Sequence, residues 1–141
     1  MVRVARLAGV TLAAAFAAAC EDAAKARPRD AAFLGAEATA LGQVKLDLRV
    51  TVGPDAPAGE VTGVGIRDDA GVRHSAVSVR VEPWGEFRHV TIVTDKVAPS
   101  VGRLDFAVDV KVGPNVERLE GRVVRALDGW QLERLGSRPL K

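Results

Sequence analysis

Few side chains in this sequence are equipped for chemistry. His74 and His89 are the only imidazoles, Cys20 is the only thiol, and tyrosine is absent. A metal centre needs three or four converging ligands. The alternating segment 72–94 reads as a hairpin that sets His74 opposite Asp95 and His89 beside Arg80, which puts the two rings about 20 Å apart along the ladder. Both are expected on the solvated face, so no metal or cofactor site is assigned. A covalent nucleophile needs a base and an orienting partner. Ser75, Ser78, Ser100 and Ser137 lack the glycine-flanked elbow that would expose one. Asp68-Asp69 falls in a turn, where carboxylates serve turn geometry and solubility. No glycine loop opens a helix to cradle a phosphate. The expectation is a protein that is not an enzyme.

Trp84 is the one candidate ligand contact. It stands between Pro83 and Gly85 at the tip of the expected hairpin. Exposed there, an indole stacks on a sugar or anchors a protein partner. Folded back, it covers the end of a core, the commoner fate of a large aromatic. Trp130 follows Asp128-Gly129 and shares a pattern with Leu132 and Leu135, so it reads as core.

The elements that must position these residues are strands. Val44, Leu46, Leu48, Val50 and Val52 alternate with Lys45, Asp47, Arg49 and Thr51; Leu104 to Val112 repeats the scheme, and Val77, Val79 and Val81 do so again. Period two marks a strand with one buried and one solvated face. Shorter candidates are Val61–Ile66, Val90–Val93, Leu119–Val124 and Trp130–Leu135, separated by turn signals such as Gly53-Pro54-Asp55 and Gly113-Pro114-Asn115. About seven strands with no long helix after residue 40 predict an all-β, antiparallel immunoglobulin-like β-sandwich. The buried cysteine pair of antibody domains is missing, so the likeness is one of architecture. A small barrel is the alternative. An even loop in the 72–94 hairpin brings the apolar faces of its strands together, pairing Val79 with Val90, whereas a one-residue slip would turn polar residues inward.

The first residues are of another kind. Arg3 and Arg6 precede Leu7–Ala19, an uncharged stretch ending in Ala17, Ala18 and Ala19. A charged start, a short apolar run and a small-residue end describe a secretory signal peptide over residues 1–19. The run is too short for a membrane-spanning helix, which needs about 20 residues. Residues 20–40, rich in alanine and charge, are expected to form a flexible tether, with Asp30 able to cap a short helix through Glu37. Residues 41–141 are expected to form the sandwich domain.

Ala17-Ala18-Ala19-Cys20 resembles the lipobox of bacterial lipoprotein precursors, with Ala17 where that family usually has leucine. The resemblance covers only the first twenty residues. It implies a diacylglyceryl group on the Cys20 thiol, cleavage just before it, and a membrane anchor in the cell envelope facing the periplasm or the cell surface. Ala17 and Ala19 also satisfy ordinary signal cleavage, which would leave Cys20 a free thiol.

Export changes the charge. The 20 basic and 18 acidic residues of the 141-residue chain give +2, and the signal peptide takes Arg3 and Arg6 with it, leaving balance. Arg80 with Arg88, and Arg118 with Arg122 and Arg125, are expected as small surface patches. They lack the interleaved aromatics of a nucleic-acid surface, and no nucleic-acid partner is expected. The chain thus reads as an exported envelope lipoprotein with a non-catalytic binding or structural role toward an envelope protein or a glycan. One alternative is a carbohydrate- or peptide-binding module built on the end loops around Trp84. Another comes from Gly121–Leu135, two strands around Asp128-Gly129-Trp130. This stretch looks like the tail of the cone-shaped α+β domains of the nuclear-transport-factor-2-like class, which holds enzymes and binders.

Overall fold

Strands with one apolar face are stable only when a second layer covers that face. The computed structural model describes residues 27–140, where this is achieved by nine strands and no helix. They are β1 (Arg29–Ala38), β2 (Gln43–Thr51), β3 (Glu60–Asp68), β4 (Arg73–His74), β5 (Ala76–Trp84), β6 (Phe87–Lys96), β7 (Arg103–Val112), β8 (Asn115–Ala126) and β9 (Gly129–Leu140). They form a four-stranded sheet in the order β1-β2-β6-β5 and a five-stranded sheet in the order β4-β3-β7-β8-β9. All pairings are antiparallel.

The order is that of the immunoglobulin arrangement. Taking β1, β2, β6 and β5 as strands A, B, E and D, the facing sheet supplies C′, C, F and G as β4, β3, β7 and β8. β9 is an additional strand beside G. Two separate sheets exclude the barrel, and the absence of any helix among the described residues excludes the cone-shaped α+β alternative. Where antibody domains place a disulfide between B and F, apolar packing fills the space: Leu46 and Leu48 of β2 and Val108 of β7 are fully buried.

Two expectations are corrected by this architecture. Residues 29–38 of the expected tether are strand β1, not a flexible segment or a short helix, so the sandwich begins at Arg29 rather than at 41. β1 gains its hydrogen bonds from β2, and its Phe33 and Ala36 pack against the core. Val77 and Val79 are exposed, because β5 is an edge strand and the facing sheet does not cover it. The β5–β6 hairpin does have an even loop. Trp84 pairs with Phe87 around Gly85-Glu86, and Val79 faces Ile92, two residues on from Val90. Gly85 has φ 62°, as the first residue of a type II′ turn requires.

Gly121 marks the tightest point of the interior. A Cβ there would overlap Phe106 Cζ and lie 2.9 Å from the Arg134 carbonyl, so the Phe106 ring occupies the place of the missing side chain.

Candidate functional site

Trp84 stands at the end of the sandwich where the loop 52–59 meets the β5–β6 turn. Loop and turn are joined by their backbones, since Val52 N–H and Gly53 N–H donate to the Glu86 carbonyl at 2.7 and 3.2 Å. They are also joined by Arg88. This side chain is 3 % exposed and points inward, in the same row as Val90 and Ile92. Its guanidinium donates to the carbonyls of Ala56 (2.7 Å), Pro57 (2.8 and 3.1 Å), Gly85 (3.0 Å) and Phe87 (2.7 Å). Burial lowers its pKa from the usual guanidinium value. A buried charge without such partners would be strongly unfavourable; here five carbonyl contacts stand in for water. Arg88 is therefore an internal peg and not the surface patch expected with Arg80. Gly59 completes the closure. At φ 84° it lies so close to β7 that a Cβ would sit 3.2 Å from Val112 and 3.3 Å from the Lys111 carbonyl.

On this base Trp84 stays outside. It is 61 % exposed and does not fold back over the core. Its ring stacks on His89, with centroids 5.8 Å apart and planes inclined by 22°. His89 Nε2 lies 3.2 Å from Asp47 Oδ1, which also accepts from the Thr91 hydroxyl at 2.9 Å. A carboxylate only accepts, so Nε2 carries the ring proton. Beside this pair, the Arg49 guanidinium lies over the Phe87 ring at 4.5 Å. The outer face of the four-stranded sheet thus offers an exposed indole bordered by imidazole, carboxylate, hydroxyl and guanidinium groups. A flat apolar ring edged by donors and acceptors is suited to stacking a sugar ring and bonding its hydroxyls.

His74 belongs to the other end of the molecule. It is not a solvated surface residue; its side chain is 8 % exposed. Its Nδ1 lies 2.7 Å from Asp95 Oδ1 and its Nε2 lies 2.9 Å from Asp68 Oδ2. The contact with Asp95 is not the cross-strand opposition expected within a hairpin. His74 lies on β4, paired with β3 in the five-stranded sheet, and meets Asp95 of the facing sheet side chain to side chain, while the second carboxylate comes from β3. Because the two carboxylates take opposite nitrogens of one ring, they do not converge on a common ion. Asp68 also performs the turn role expected of it, since its Oδ1 accepts from Ala70 N–H (2.9 Å) and Val72 N–H (3.0 Å).

The charges of this cluster are interdependent. Burial works against the His74 cation, but hydrogen bonds to Asp68 and Asp95 and their negative charge outweigh it and raise the pKa. The His74 bond is the main reason that Asp68 is held below the ordinary carboxylate value. For Asp95, burial is the largest influence and opposes ionisation. Hydrogen bonds from Ser75 N–H and His74 overcome it and lower the pKa.

The remaining expected patch dissolves into pairs. Arg118 forks onto Asp109 at 2.7 and 3.0 Å, Arg122 meets Asp105 at 2.6 Å, and Arg125 bonds the Val101 carbonyl while lying over buried Trp130. Cys20 and the signal peptide lie outside the described residues. Comparison of the chain with family models, curated proteins and solved structures finds no match.

Proposed function

We propose that this chain is an exported envelope lipoprotein, anchored through Cys20, whose sandwich is a non-catalytic glycan-binding module. The observation that carries the binding reading is Trp84, an exposed indole fixed on a hairpin whose base is pegged by Arg88. An apolar ring held in water at a fixed place is a stacking surface with little left to lose in entropy on binding. The His89, Asp47 and Arg49 groups around it supply the hydrogen bonds that sugar hydroxyls require.

Tryptophan fluorescence tests the binding reading cleanly, because Trp130 is buried and a titration reports on Trp84. Neutral oligosaccharides of envelope type should give a saturable change in emission, and Trp84→Ala should abolish it while the fold is kept. No saturable change across the panel would remove the warrant for sugar binding. The anchor is tested separately. The intact mass of the mature wild-type protein should exceed that of residues 20–141 by the acyl groups, and the protein should partition into the detergent phase; a mass equal to that of the unmodified chain would leave Cys20 unlipidated.

A further inference from the structure

The outer face of the five-stranded sheet carries a second feature, independent of Trp84. Its residues stand in cross-strand rows. One row runs Arg73, Arg67, Asp105, Arg122, Arg134 across β4, β3, β7, β8 and β9; the next runs Gly65, Ala107, Glu120, Gly136. The small residues of the second row leave a trough beside the first. The trough has a volume of about 520 Å³ and is lined by Arg67, Arg73, Arg134, Gly65, Ala107 and Asp105 among others.

The three arginines are exceptional. The other described arginines each have an ion pair, a hydrogen bond, a ring contact or an electrostatic partner. Arg67, Arg73 and Arg134 have none among the described residues, and all three line the same trough. Arg67 and Arg73 are moreover direct cross-strand partners, an arrangement of like charges that destabilises a sheet. The one carboxylate within the trough, Asp105, is already bonded by Arg122 at 2.6 Å and approached by Arg103 at 3.7 Å. Arg67 and Arg134 are separated by three strand intervals, about 14 Å, which long guanidinium side chains can close from both sides. Asp105 and Arg122 stand between them in the row; beside Arg67 on β3, nothing lies within 4 Å of where a Gly65 Cβ would be, so a ligand can approach the backbone there.

We infer that this trough is a binding site for a soluble, multiply charged oxyanion of the oligophosphate class. Three unpaired guanidiniums require about three negative charges within a nanometre, and their planar forks match phosphate oxygens in pairs.

Calorimetry with inorganic tripolyphosphate tests the site on the full chain. Binding should weaken as salt is raised, since exposed charges are screened. Arg134→Gln should lower affinity by about tenfold to a hundredfold, the range for lost hydrogen bonds to a charged group. Arg73→Gln should lower affinity similarly while leaving the melting temperature unchanged or higher, because it removes a like-charge pair. Gly65→Val keeps every arginine, suits a strand, and should block binding by filling the floor. Trp84→Ala should have no effect, which keeps this site distinguishable from the glycan face. Absence of tripolyphosphate binding, or binding that these three trough variants do not change, overturns the proposal. Equal affinity for citrate overturns the assignment to phosphate. Arginine-dependent binding to phosphatidylglycerol vesicles without binding of tripolyphosphate would make the trough a membrane contact, and so would overturn the soluble ligand.

Discussion

The two ends of the sandwich are closed by polar groups of opposite character. At the Trp84 end, Arg88 reaches inward from β6 and bonds only neutral carbonyls, joining a loop to a hairpin. At the other end, His74 of the five-stranded sheet is gripped by Asp68 of its own sheet and Asp95 of the facing sheet, so charge holds the layers together. The guanidinium keeps its charge at every physiological pH, whereas the imidazole titrates within that range. The same fold therefore closes one end with a buried group that keeps its charge and the other with a buried group whose charge changes with pH. The end closed by Arg88 is the one that mounts the exposed indole.

Breaking the peg should have the largest effect. Arg88→Leu removes the buried side chain that ties the carbonyls of Ala56, Pro57 and Gly85 together and should cost roughly 2–3 kcal/mol. Denaturant titration gives the loss. Faster amide exchange confined to residues 52–59 and 85–88 would place it at this end, and uniform exchange across both ends would contradict the division.

Next comes the clasp. His74→Asn should cost about 1–2 kcal/mol near pH 6, where the wild-type cation meets two carboxylates. The pH dependence follows from the directions of the shifts. His74 is raised, so its contribution is full below the unfolded value of about 6.5 and is lost as pH climbs through the folded one. Asp68 and Asp95 are lowered, so theirs is present above about 3.9 and is lost as pH falls through their folded values. Calorimetric melting temperatures should therefore be highest between about pH 4 and 6.5, and the decline above 6.5 should vanish in His74→Asn. A decline of the same size in the variant would assign it elsewhere.

The smallest effect is expected at Trp84. An exposed side chain whose burial stabilises nothing should be removable at a cost within about 0.5 kcal/mol. A larger loss in Trp84→Ala would mean that the His89 stack supports the hairpin and is not merely displayed by it.

Alternation made most strands legible, because β2, β6 and β7 bury every second residue along their length. It failed at β1, where Ala31, Ala32 and Ala36 carry little pattern and register shifts around Ala32 and Gly35 break the period. The strand exists because β2 offers a free edge, a tertiary cause with no local signature. Trp84 could be singled out from its neighbours Pro83 and Gly85, but its exposure depends on how the loop 52–59 closes. The peg left a usable sign: extending the Val90 and Ile92 row backward lands on Arg88, a charge in the inward register. Asp68 gives the same sign after Ile66 on β3. The arginine trough was hidden because it depends on Arg67, Arg73 and Arg134 being brought together from three strands.

The direction of β1 would set the orientation of the molecule if Cys20 carries the proposed anchor. Arg29 opens the strand opposite Thr51, in the row that continues through Phe87 to Trp84. The chain thus enters the sandwich at the indole end. Nine residues of fully extended chain from Cys20 to Arg29 span at most about 30 Å, so the proposed acyl anchor would hold the Trp84 end nearer the lipid than the His74 end. The His74 clasp would then point outward, with the arginine trough, which His74 also lines, on the same end of the five-stranded sheet.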